Sequence, residues 1–432
     1  MRVVSELSSS TRSSGAVLGL RCRECHRDYP VAAAHVCEFC FGPLEIAYDH
    51  SVWARTVSRA SIEAGPQTMW RYAELLPAGA DPDTRVDLGA GMTRLVRAHN
   101  LGRALGMAEL WVKDDSANPT HSFKDRVVSV ALSKAVEFGF TTVSCASTGN
   151  LANSVAAHAS RAGLRAVVFI PADLEAGKVV ATGIYGQTLV AVTGSYDDVN
   201  RLCAEVAGEL PWAFVNVNVR PYYAEGSKTV GYEIAEQLGW RLPAQVIAPV
   251  ASGSLMTKVD KGFRELAALG LVADTPYAIF GAQASGCSPV ATAWKNGWDV
   301  VRPVKPSTIA KSLAIGNPAD GPYAIDVAKR TGGALEDVSD EEIVAGIRLL
   351  AETEGIFAET AGGVVVASMQ RLLATGQLAA GAPTVLLNTG DGLKTLDAVA
   401  AVSQPSYTIA PSLDAFRASG AADPVTLKGV QR

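Results

Sequence analysis

Ser122-Phe123-Lys124-Asp125, followed by Arg126-Val127-Val128-Ser129-Val130-Ala131-Leu132, is the stretch on which the reading of this chain turns. Ser122 and Asp125 have the spacing of a capping box, so the sequence predicts a helix that starts here and carries Lys124 in its first turn. The partial positive charge at a helix N-terminus disfavours an ammonium by up to about 1 kcal/mol and favours an uncharged amine or imine. An unprotonated lysine attacks an aldehyde. A solvated first-turn lysine is the plain alternative, and the tetrapeptide by itself does not separate the two.

Working outward, three small-residue turns follow apolar runs. Val143-Ser144-Cys145-Ala146 leads into Ser147-Thr148-Gly149-Asn150 and a helix-like stretch from Leu151 to His158. Val246-Ile247-Ala248-Pro249-Val250 leads into Ala251-Ser252-Gly253-Ser254-Leu255, and Val385-Leu386-Leu387 into Asn388-Thr389-Gly390-Asp391-Gly392. A strand, a turn of small residues and a helix N-terminus let backbone N–H groups close around a phosphate. Each turn taken singly also serves ordinary strand-to-helix packing. Ala166-Val167-Val168-Phe169-Ile170, Thr188-Leu189-Val190-Ala191-Val192 and Ala213-Phe214-Val215-Asn216-Val217 read as further strands separated by helix-length segments, which predicts parallel α/β layers. Ser195 to Asp198 and Ser339 to Glu342 repeat the capping-box spacing.

The order and content of these motifs resemble the fold-type II family of pyridoxal phosphate enzymes, and within it the threonine synthase family. The resemblance runs from the cysteine-rich N-terminus to about Ala401 and is carried most specifically by Asn118 to Arg126, Ser147 to Asn150, Arg220 to Thr229 and Lys311-Ser312-Leu313-Ala314-Ile315-Gly316-Asn317-Pro318. It implies a two-lobed α/β fold like that of the tryptophan synthase β chain, with pyridoxal 5′-phosphate in the cleft between the lobes. Lys124 falls on the family's Schiff-base lysine with Phe123 beside it, and Asn150 on the asparagine that meets the cofactor's ring oxygen. Ala251, Ser252, Gly253, Ser254 and Leu255 would hold the cofactor phosphate. Thr389 would face the pyridine nitrogen, where a neutral partner weakens the ring as an electron sink.

Ser147, Thr148, Arg220 and Lys228 are the implied substrate contacts, although the two basic residues serve equally well as ion pairs between the lobes. The implied reaction converts O-phospho-L-homoserine and water to threonine and phosphate. Sister activities of the same cofactor class stay open: a paralogue acting on another phosphorylated or γ-substituted amino acid, a serine/threonine dehydratase, or an O-phosphoserine β-replacement enzyme. The implied domains are a lead-in over 1–15, a ribbon-like segment over 16–50, a large lobe from 51–110 and 225–402, a small lobe over 111–224, and a tail over 403–432.

Three departures from the family pattern bear on substrate choice. Where threonine synthases read Gly-Glu-Gly-x-Thr-Pro-Leu, this chain has Gly89-Ala90-Gly91-Met92-Thr93-Arg94-Leu95, which loses a carboxylate and gains a guanidinium near the expected cleft. Lys113-Asp114-Asp115-Ser116 carries an aspartate where asparagine is common, and Asp391 adds an acid next to the Thr389 turn.

Cys22, Cys25, Cys37 and Cys40 form two C-x2-C pairs eleven residues apart, a spacing that lets four thiolates surround one Zn²⁺ in a closed, structural site. A disulfide pair, or a cluster that has lost its metal, is the alternative. His26 and His35 are expected to be exposed neighbours of that cluster, and Cys145, Cys203 and Cys287 to fill core space. The 432 residues, 48% hydrophobic and 19% charged, suit two globular lobes plus a small module. A net charge of −5 without a basic patch argues against nucleic acid. The polar, Ser-rich start lacks the apolar core of a signal peptide, and no apolar run nears the ~20 residues of a membrane span. The expectation is a cytoplasmic enzyme with a small-molecule phosphoamino acid substrate and no membrane partner; a homodimer is left open.

Overall fold

The computed structural model describes residues 15–147, 149–174, 176–194 and 196–421. The lead-in before Gly15, Thr148, the Ser195 capping box and the last eleven residues of the tail lie outside them.

The N-terminal module is a small antiparallel sheet, order β2-β1-β3, built from β1 (Val17–Cys22), β2 (Asp28–Tyr29) and β3 (Leu44–Tyr48). Its two C-x2-C turns have matching backbones. The residue four after Cys22, His26, and the residue four after Cys37, Phe41, both sit at left-handed φ of 60° and 58°. Their N–H groups return to the carbonyls of Cys22 at 3.2 Å and Cys37 at 3.0 Å. Left-handed backbone is rare for residues with a side chain, and here it turns the chain sharply enough to bring the sulfurs together.

Next come β4 (Arg94–Arg97) and β5 (Leu110–Asp114), an antiparallel pair. The chain then builds a four-stranded parallel sheet, order β8-β7-β6-β9, from β6 (Thr142–Ala146), β7 (Arg165–Pro171), β8 (Thr188–Val192) and β9 (Ala213–Phe214). It returns through β10 (Gln245–Pro249), β11 (Ala278–Ala284), β12 (Leu335–Val338) and β13 (Thr384–Asn388). These complete a six-stranded sheet in the order β12-β11-β10-β13-β5-β4, parallel except for β4. β6, β10 and β13 are buried along their whole length, as strands covered by helices on both faces must be.

Two expectations are corrected. Trp111 to Asp114 do not open the small lobe: they pair with β13 and β4 in the large sheet, because Leu110 and Val112 drop into the large-lobe core. The boundary therefore follows Asp114. The strand expected over Ala213 to Val217 ends at Phe214, where the chain turns and the Val217 N–H bonds the Phe214 carbonyl at 3.0 Å. The capping box at Ser339 and Glu342 forms as the spacing predicts.

The small lobe and the ribbon share one apolar core. Val127, Val128, Ala131 and Leu132 of helix Lys124–Glu137 cluster with Val143 and Cys145 of β6, and the same cluster takes in Val17, Leu20, Cys22, Cys37 and Leu44. The ribbon is thus fixed to the lobe that carries Lys124.

Candidate active site

The ends of β6, β10 and β13 and the start of helix Lys124–Glu137 converge on a cleft of about 340 Å³ between the lobes. Phe123, Lys124, Ser147, Asn150, Ala251 to Leu255, Arg220 and Thr389 all line it. In parallel α/β sheets the carboxyl ends of strands are where ligands sit, since helix N-termini point their free N–H groups there.

Lys124 opens its helix, but no capping box holds it: Phe123 is the N-cap and makes no side-chain cap. Asp125 turns back instead and accepts from the Thr120 N–H and hydroxyl, each at 2.6 Å, and from the Ser154 hydroxyl at 2.6 Å. A fully buried carboxylate gains more from three donors than from capping its own helix. The Ser122 hydroxyl is left buried without a partner. This loop is zipped to the turn after β13, with the Phe123 N–H on the Thr389 carbonyl at 3.0 Å and the Asp391 N–H on the His121 carbonyl at 3.1 Å. The Lys124 amine donates to the Tyr223 hydroxyl at 2.9 Å.

Asn150 starts helix Asn150–Ala162 after Gly149 at φ 135°. Its amide nitrogen donates to both oxygens of Glu359 at 3.1 and 2.9 Å, while its carbonyl oxygen is buried without a partner. The Ser147 hydroxyl accepts from the N–H groups of Gly149 at 3.0 Å and Ala152 at 2.8 Å, which caps that helix and leaves its own proton to donate. Gly253 has φ 99°, and a side chain there would stand 2.6 Å from the Asp320 carbonyl, so only glycine fits this turn. Arg220 reaches the cleft with its guanidinium 2.6 Å from Asp320.

Lys228 does not reach it. Its ammonium is fully enclosed between Glu225 at 2.8 Å and Glu265 at 3.1 Å, over the rings of Tyr48 and Trp53. Of its two readings, the ion pair holds. Arg94 and Ala90 also lie outside the cleft lining: the Arg94 side chain is 69% exposed and pairs with Asp114 at 2.7 Å, and Ala90 packs under Met69 and Trp70. The gained guanidinium and an aspartate thus neutralise each other, away from the cleft.

Glu359 and Tyr223 line the cleft without having been singled out, and so does His35, which was expected beside the cysteines in solvent. Glu359 is followed by Thr360-Ala361-Gly362-Gly363, a run of small residues at a helix start like the other site turns, and that signal could have found it. His35 is half-buried, not an exposed neighbour; burial first, and then nearby Arg220, lower its pKa. Nothing in the spacing marks it, because its position depends on how the ribbon docks.

The residues suit a pyridine-ring cofactor bearing a phosphate and an aldehyde. The turn over Ala251 to Leu255 lines the cleft at the start of helix Ser254–Ala268, Asn150 has an unused oxygen, and Lys124 lines the same space. In the ribbon, the four cysteine sulfurs lie within 4.8 Å of one another, with Cys22–Cys40 at 3.4 Å and Cys25–Cys37 at 3.6 Å. All four are free thiols. Four sulfurs bound at ~2.3 Å around a tetrahedral zinc stand about 3.8 Å apart, close to what is observed.

The chain matches the family described as pyridoxal-phosphate dependent enzyme over residues 86–390. It is 38% identical over 392 residues to the threonine synthase of Methanocaldococcus jannaschii, covering 90% of this chain and 96% of that one. A threonine synthase of Halalkalibacterium halodurans is 36% identical over 336 residues, 76% of this chain and 90% of that protein. Among solved structures, diaminopropionate ammonia lyase from Escherichia coli superposes with a TM-score of 0.62 at 19% identity, covering 73% of this chain and 88% of the other. The processed form of threonine deaminase isoform 2 from Solanum lycopersicum gives 0.60 at 21% identity over 72% of this chain and 84% of that one. The two structures support the fold, and the sequence matches go further: with Lys124, Asn150, the Gly253 turn and Thr389 around one cleft, this chain belongs to the pyridoxal-phosphate dependent enzyme family.

Proposed function

We propose that the chain is a threonine synthase that converts O-phospho-L-homoserine and water to L-threonine and phosphate. One observation supports the reading at the level of residues: Lys124, Asn150, the Ala251 to Leu255 turn and Thr389, spread over most of the sequence, surround a single cleft in which the Lys124 amine bonds the Tyr223 hydroxyl. The 38% identity to a threonine synthase over 90% of the chain supports the choice of substrate.

Lys124 would hold the cofactor covalently, the N–H groups of Gly253 to Leu255 its phosphate, Asn150 its ring oxygen and Thr389 its ring nitrogen. When bound, the cofactor supplies an aldehyde carbon and a conjugated ring that takes up the electron pair left at the substrate's Cα. The Lys124 amine is the base for the Cα proton, and the Tyr223 hydroxyl beside it keeps it pointing into the cleft. The Ser147 hydroxyl and the N-terminus of helix Asn150–Ala162 face the substrate carboxylate. Arg220 is the cation for the leaving phosphate, whose dianion needs a charged or N–H-rich wall.

The four cysteines of the ribbon bind one structural Zn²⁺ in the same proposal, supported by the spacing of their sulfurs and by their thiol state. With every position taken by sulfur, the metal has no site for substrate. Among the described residues no helix is long and apolar enough to cross a membrane, and a cytoplasmic location completes the reading.

The test is phosphate release from O-phosphohomoserine, O-phosphoserine and O-phosphothreonine by the purified holoenzyme. Release with threonine formed from the first supports the reading. Release from O-phosphoserine alone would replace it with a sister activity.

A further inference from the structure

The ribbon lines the cleft with one residue and braces a second residue of its wall. His35, two residues before Cys37, lines the cleft near Arg220. Arg23, between Cys22 and Cys25, places its guanidinium 3.6 Å from the Asp320 carboxylate and 3.5 Å above the Tyr323 ring, and the Tyr323 hydroxyl bonds Glu24. The second oxygen of Asp320 accepts from Arg220 at 2.6 Å. The Asp320 N–H donates to the Ser252 carbonyl at 2.9 Å. One residue, its side chain only 8% exposed, therefore touches the ribbon, the cleft arginine and the Gly253 turn.

We propose that the ribbon is a working wall of the substrate site. His35 donates to the phosphate end of the substrate, and Arg23, acting through Asp320, positions Arg220 for the same anion. The assignment rests on the phosphoamino acid reading above. Among the described residues that line the cleft, the basic side chains are His35, Lys124 and Arg220. Lys124 is committed to the cofactor, which leaves the other two for a dianion. Arg220 is held by Asp320 in this structure, and a carboxylate competes with phosphate for the same guanidinium. Arg23 shares the Asp320 charge and so weakens that competition. Arg23 is a positioning residue; His35 is a direct contact.

The sharing argument fixes opposite signs for two neighbours. In the holoenzyme, inorganic phosphate titrated against the cofactor absorbance should bind about tenfold more weakly in Arg23→Gln and in His35→Leu, the loss expected of one charge-assisted hydrogen bond. Arg23→Lys should recover most of the Arg23→Gln loss. Asp320→Asn should bind phosphate more tightly than the wild type, a gain that damage to the fold does not produce. L-Threonine, which carries no phosphate, should bind the Arg23 and His35 variants as it binds the wild type. Zinc content, measured on each variant, shows that the ribbon is intact. Unchanged phosphate affinity in both Arg23→Gln and His35→Leu, or weaker binding in Asp320→Asn, overturns the proposal. Because inorganic phosphate is the probe, failure of O-phosphohomoserine as a substrate would leave these shifts in place and sink only the substrate reading.

Discussion

Lys124 and Tyr223 carry the residue-scale account. In the proposed mechanism the amine is both the anchor for the cofactor and the base for the Cα proton, so Lys124→Ala should lower turnover by roughly a thousandfold or more while the thermal midpoint stays near that of the wild-type apoprotein. Tyr223→Phe removes the hydroxyl that accepts from that amine and should cost about tenfold in kcat, read from steady-state rates. Arg94 and Ala90 make the contrasting case. Near-absence from the cleft predicts that Arg94→Pro leaves the KM for O-phosphohomoserine unchanged and that Ala90→Glu, which buries a carboxylate in the packing around Trp70, lowers stability by about 3 kcal/mol in chemical denaturation. A changed KM in Arg94→Pro would return the substrate question to that loop. Asn150 and Thr389 were legible because small residues announce their turns, and Lys124 because its motif marks a helix start, although the expected capping box does not form. Lys228 was misplaced for a physical reason: a lysine in a cleft and a lysine enclosed by Glu225 and Glu265 have the same local sequence, and the two carboxylates come from different helices.

Elements bring charge and metal into the account. Helix Lys124–Glu137 is tied to helix Lys228–Gln237 by Arg126 and Glu233, with Lys113 of β5 2.6 Å from the same carboxylate and Asp115 2.7 Å from Arg126. Burial pushes the Glu233 carboxyl up, but Arg126 and then Lys113 outweigh it and hold it down at about 2. A depressed folded value means stability that is complete above the ordinary carboxylate range near ~4.3 and is lost as pH falls toward about 2, on the order of 2–3 kcal/mol. Thermal midpoints measured across that window should fall steeply in the wild type and less so in Glu233→Gln. The ribbon is predicted to hold one zinc per chain; its removal by a chelator should loosen the N-terminal segment in hydrogen exchange, and elemental analysis of fresh protein without zinc would contradict the site. At this scale the sequence marked where strands and helices lie, since β6, β10 and β13 are continuous apolar runs ending in small residues. It did not mark membership of a sheet. Trp111 to Asp114 read as a strand either way, and only pairing with β13 assigns them to the large lobe.

For the whole molecule, parallel α/β layers were legible from strand spacing, and the two lobes with a cleft between them were implied by the family resemblance. The docking of the ribbon was not: a shared core of Cys22, Cys37 and Leu44 with Val127 and Leu132, and the Arg23 to Asp320 contact, depend on surfaces from segments hundreds of residues apart. Those contacts join the cysteine ribbon, the lysine-bearing lobe and the cleft into one unit. The central claim is that this unit breaks the Cγ–oxygen bond of O-phosphohomoserine and adds water at Cβ, and turnover in water labelled with heavy oxygen tests it most directly. The account predicts threonine and phosphate in equal amounts, with the label in the threonine hydroxyl and none in the phosphate. Homoserine as product, with the label in the phosphate, would mean cleavage at phosphorus and would contradict it.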